Sequence, residues 1–201
     1  MSDLIPEAYF DTLSLMNDAP ASVLPMSVNE MHLFAYLACI FALFKGEPVG
    51  EWGYPFAITT EGFPFSAQLD AAREVLYVTG RIELDDEGLM IPRPIELAHE
   101  FNTILSLGSW ANRRRWLQAA TECALALPMG SIRYAVSRSP GMASSFFLGR
   151  RGQLLEPIDT ALLYEEYKVV SSVLGTDASD VLSPAVLWLS ARIMRKGDDD
   201  V

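Results

Sequence analysis

Ser66–Pro92 reads SAQLDAAREVLYVTGRIELDDEGLMIP, and it decides the fold of the first half of the chain. Phe65, Leu69, Ala72 and Leu76 recur at i, i+4, i+7 and i+11, the spacing of one helical face. Gly80 stops that helix, so its expected span is 66–79. Two apolar runs follow, RIEL at 81–84 and LMI at 89–91, joined by Asp85-Asp86-Glu87-Gly88. Acidic and glycine residues at a tight turn between apolar runs predict a β-hairpin over 81–92.

Upstream, Met31–Phe44 (MHLFAYLACIFALF) is the longest apolar run. Its 14 residues fall short of the roughly 20 that a bilayer-spanning helix needs. A buried helix is the expectation. Ser27 and Glu30 stand at capping-box spacing ahead of it, and Lys45-Gly46 closes it, which predicts a helix over 28–45. Residues 4–16 predict a shorter helix, and 19–26 a loop with two prolines. The N-terminal MSDLIPEAYF lacks the basic stretch of a secretory signal. Cys39 and Cys123 each stand alone in an apolar stretch, so they read as buried, inert thiols. A reduced, cytoplasmic setting with no membrane contact follows as the expectation.

Downstream of residue 95 every segment reads as helical. The expected helices cover 95–106, 110–127 and 131–138, with a shorter piece at 141–148. Pro157 opens the next, whose face is Leu163, Tyr167, Val170 and Leu174 and whose end is Gly175. Ser183-Pro184 opens the last, which runs to Arg195-Lys196-Gly197 before a frayed DDDV tail. The fold class is therefore mainly α. A lobe at 1–94 carrying a small hairpin precedes an all-helical lobe at 95–201, and the two share one interface.

The order helix, loop, helix, Gly-Arg-Ile and two-stranded wing resembles a winged helix-turn-helix. The residues that carry the likeness are the apolar helix 31–44, the helix ending Val78-Thr79-Gly80 and the hairpin 81–92. In DNA-reading members the helix before the wing enters the major groove. Here that helix offers Gln68 and Arg73 beside Asp70 and Glu74, and the wing turn carries Asp85, Asp86 and Glu87. Acids at those positions repel phosphate. A winged helix turned to protein contact is the better expectation.

Charge divides the chain in the same sense. The 201 residues carry a net charge of −11, yet residues 1–100 hold 16 acids and 4 bases, and residues 101–160 hold 3 acids and 7 bases. All seven of those bases are arginines, which favour planar carboxylate or phosphate partners. Candidate anion or nucleic-acid contacts are Arg113, Arg114 and Arg115 beside Trp110 and Trp116, and Arg150 and Arg151 between glycines. Three consecutive helical residues fan over about 200°, so at most two can share a ligand, with Arg113 stacked near Trp110 or Trp116. The other destination for these arginines is the acidic half of the chain itself. A nucleic-acid-binding regulator that uses segment 113–151 is the alternative function.

Residues 46–64 hold four glycines and three prolines among aromatics, which excludes a long regular element and also a floppy linker. Trp52, Tyr54, Phe56, Phe63 and Phe65 either plug the junction between the lobes or form a docking surface for a partner protein.

Glu30, the run Trp52-Gly53-Tyr54-x-Phe56 and Gly62-x-Pro64-Phe65-Ser66 resemble the small middle component of bacterial ABC-three-component, Lamassu-like defence systems. The likeness covers about residues 25–95, with a weaker echo in PAVLWL at 184–189. It implies a non-catalytic accessory subunit that bridges or regulates an SMC- or Rad50-like ATPase alongside an effector, with any nucleic-acid contact indirect. It transfers no functional residue.

Chemistry is sparse. His32 and His99 stand 67 positions apart, and no GxSxG, HExxH, GxxxxGK[ST] or GxGxxG motif occurs. The acids at 83–87 could hold a divalent ion but read as a solvated turn. No catalytic residue, metal or cofactor is expected, and the chain reads as a non-enzyme.

Overall fold

The computed structural model describes residues 4–144, 152–175 and 181–195. Over these residues the chain is mainly helical, with two small antiparallel two-stranded sheets.

Proline at the first position opens α1, Pro6–Asp18, where its missing N–H costs nothing. Helix α2 spans Val28–Phe44. Ser27 Oγ accepts from the Glu30 amide, and the Glu30 carboxylate accepts from the Ser27 amide, closing the capping box. Thirteen of its 17 residues are buried, on every side of the helix. Such an all-round apolar helix is stable only when wrapped. It packs most heavily on the helix Ala111–Ala126, and also on α1 and the helix Pro157–Leu174.

Between α2 and the next helix the chain makes a single 3-10 turn at Val49–Glu51. It then forms β1, Ala57–Ile58, paired with β2, Pro64–Phe65. Phe65 therefore lies on a strand, not on the helix that its spacing suggests. The reason is non-local: the extended Ser66 that follows it donates its N–H to His32 Nδ1 on α2 at 3.2 Å. Helix α3, Ala67–Val78, buries Leu69, Ala72 and Leu76, the face expected of it.

The hairpin pairs β3, Ile82–Leu84, with β4, Met90–Pro92. Asp85 Oδ1 accepts from the amides of Glu87 and Leu89, and Gly88 takes φ +79° in the turn. Met26, just ahead of α2, adds a third edge. Its N–H and C=O both bond Met90, at 3.1 and 2.8 Å.

Helices α4 (Pro94–Leu107), α5 (Ala111–Ala126), α6 (Met129–Ser137), α7 (Pro157–Leu174) and α8 (Leu182–Met194) complete the described elements. The last begins at Leu182, so Ser183 is not its cap and Pro184 sits third. Proline is tolerated there because first-turn amides have no partner inside the helix. The helical piece expected at 141–148 lies partly outside the described residues. Arg150, Arg151 and the DDDV tail lie wholly outside them. One buried cluster runs from Ala8 to Leu189, drawing on both sides of residue 94.

Candidate functional site

Asp11 occupies the inner face of α1, between Phe10 and Leu13, and is fully buried. A buried carboxylate must be paired, and α5 supplies the partner. Arg113 Nε lies 2.5 Å from Asp11 Oδ1, and Nη2 2.7 Å from Oδ2. The Tyr54 hydroxyl donates to the same Oδ2. The indole of Trp52 lies 3.9 Å below the guanidinium, and the Tyr54 ring 5.7 Å away. Burial pushes the Asp11 carboxyl above its ordinary range, and Arg113 and Tyr54 pull it back. Burial also opposes the Arg113 charge, but Asp11 more than offsets it and keeps the guanidinium protonated.

Neighbouring arginines follow the same pattern. Arg114 clasps Asp18 at 2.7 and 3.0 Å and lies 5.0 Å over Phe101. Arg133 reaches Glu30 at 2.8 Å. Arg115 points to the surface beside Trp116. The three consecutive arginines thus diverge, as helical geometry requires. The aromatic partner of Arg113 is Trp52, across the fold, rather than Trp110 or Trp116. Arg113 and Arg114, read as anion contacts, have acidic partners from α1 in place of a ligand.

The aromatic loop turns inward in the same way. Trp52, Tyr54 and Phe56 are buried and present little surface of their own. Tyr54 packs on Phe56, and Phe56 meets Tyr36 of α2 edge-on. Phe63 and Phe65 are half-buried, with Phe65 against the His32 ring. Composition signalled an ordered loop. It did not signal Asp11, whose position in an apolar stretch was the available clue.

Two grooves open above this cluster. One of about 340 Å³ is walled by Trp52, Trp110 and Trp116, with Glu7, Glu47 and Glu51 among its lining. The other, about 570 Å³, lies between Leu43, Tyr54 and Phe56 on one side and Leu154 and Pro157 on the other. Neither contains a histidine or cysteine. Cys39 is buried with its thiol pushed up by burial, and Cys123 is pushed up to about 12. His32 is buried, and burial lowers its pKa to about 4, so it is a neutral acceptor for Ser66. His99 is exposed on α4. Among the described residues no group of three metal-ligating side chains comes together, and no helix is long and apolar enough to cross a membrane.

No protein-family model, curated protein or solved structure matches the chain.

Proposed function

We propose that this chain is a non-catalytic adaptor subunit, with a winged-helix unit of α1, α2, α3 and the hairpin turned to protein contact. The topology supports the unit. A winged helix runs helix, strand, helix, helix, hairpin, with the first strand added beside the last, and the Met26–Met90 bridge has that placement. The observation that carries the function is the state of the reading face. Its three arginines are each engaged by acids: Arg73 by Asp70 and Glu74, Arg81 by Glu100, and Arg93 by Glu83. Nothing basic is left over for phosphate there, while Val78 is 74% exposed and Ile95 83%. Val78 precedes Arg81 by three residues and Ile95 follows Arg93 by two, the Arg93 N–H bonds the Arg81 carbonyl, and Tyr77 and Ile91 are also exposed. Exposed apolar side chains rimmed by acids suit a protein partner.

The resemblance carried by Glu30, Trp52–Phe56 and Gly62–Ser66 makes that partner an SMC- or Rad50-like ATPase of a cytoplasmic anti-phage system. Co-expression with the neighbouring genes and affinity purification tests this. We expect the ATPase to co-purify, and Val78→Asp with Ile95→Asp to release it while leaving the circular dichroism spectrum unchanged. A chain that elutes alone despite every neighbour would overturn the reading, as would a partner held equally by the variant.

A further inference from the structure

Helix α7 is anchored by one face. Leu163 and Val170 are buried, Tyr167 stacks on Phe44 at 4.6 Å, and Glu166 takes Arg192 and the Trp188 indole N–H. A second apolar line faces outward. Ile158 is 69% exposed, Leu162 52%, Val169 65% and Val173 71%. At 100° per residue these four fall within about 60° of one another, a narrow stripe running almost the length of the helix.

We propose that this stripe is a self-association face, on which α7 packs antiparallel against α7 of a second copy about a two-fold axis. Two properties select a second copy as the occupant. The first is spacing. The steps along the stripe are four, seven and four residues, and this series is the same read backwards. A two-fold axis at the middle of the helix sets Ile158 opposite Val173 and Leu162 opposite Val169, so every apolar residue meets another. The second is charge. Glu165 and Lys168 lie near the midpoint on the same flank of the stripe, 2.5 Å apart within one chain. In an antiparallel pair like flanks face each other. Each Glu165 then comes about two residues along the axis from the other copy's Lys168, roughly 3 Å in height. The intrachain pair exchanges for two identical interchain pairs, the self-complementarity that an isologous interface demands.

Sedimentation equilibrium of the full chain tests association. A concentration-dependent dimer is expected, and Leu162→Asp or Val169→Asp is expected to abolish it. Glu165→Lys alone and Lys168→Glu alone are each expected to weaken it several-fold, and the double exchange to restore it. Register is read by cysteine crosslinking, since Cys39 and Cys123 are both buried. A mixture of Leu162→Cys and Val169→Cys proteins should form a disulfide-linked heterodimer, while Leu162→Cys alone should not, because its two copies lie about 10 Å apart along the axis. A monomer at every concentration overturns the proposal. So does a dimer indifferent to Leu162→Asp, or a crosslink formed as readily by Leu162→Cys with itself.

Discussion

Asp11 joins three elements: its own helix α1, α5 through Arg113, and the aromatic loop through Tyr54, with Trp52 stacked on the Arg113 guanidinium. Removing one member of a buried pair is worse than removing both, because the remaining charge keeps its desolvation cost. We expect Arg113→Ala to cost about 3–5 kcal/mol in urea unfolding. Asp11→Leu combined with Arg113→Met should recover most of that loss. A double variant as unstable as the single would show that the guanidinium matters for its packing on Trp52 instead. His32 gives a different signature. Its folded pKa of about 4 lies below the ordinary 6.5, so the unfolded chain binds the extra proton between those values. Stability is then full above pH 6.5 and falls as the pH drops toward 4, by about 3 kcal/mol. His32→Asn, which can still accept from Ser66, should flatten that slope. An unchanged slope would assign the acid sensitivity to other groups. Neither role could be read in the chain, since Asp11 and Arg113 are 102 positions apart and His32 and Ser66 are 34 apart.

At the scale of single elements the sequence speaks most clearly where the interaction is local. The Ser27–Glu30 box, the Leu69–Ala72–Leu76 face and the Asp85 turn all involve residues within a few positions of each other, and all form where the spacing places them. Ser27→Ala should cost about 1 kcal/mol by thermal denaturation. Glu30→Ala should cost more, because Glu30 also holds Arg133 from α6. Equal losses would mean that the Arg133 contact contributes nothing. Where a distant partner intervenes, local reading fails. Phe65 has helical spacing but lies on a strand. The outward line of α7 is not legible as a separate face, because the spacing Leu163–Tyr167–Val170–Leu174 already accounts for a helix, although Leu174 at its end is 40% exposed in the fold.

Across the whole molecule, the opposed charge of the two halves is plain in composition, and the structure shows where part of it goes. Arg113, Arg114 and Arg133 meet Asp11, Asp18 and Glu30, and Arg81 meets Glu100, so among the described residues four ion pairs tie residues after 94 to residues before it. The apolar core crosses the same point, with α2 held between α1, α5 and α7. We expect residues 1–94 expressed alone not to fold, since two of the walls around α2 would be missing. A dispersed amide NMR spectrum for that fragment would contradict this. The same dependence bears on which pairings could be foreseen. Composition told that arginines and acids face each other somewhere, but the choice of partners rests on how helices cross, which no local pattern encodes.

The all-round burial of α2 also has a meaning in time. Residues 31–44 leave the ribosome before the helix that covers them most, α5 at 111–126, has been made. At about 5–20 residues per second, that greasy segment waits for seconds without its main cover. A nascent chain halted near residue 100 should therefore be a strong client for holding chaperones, and one released after residue 126 a much weaker one.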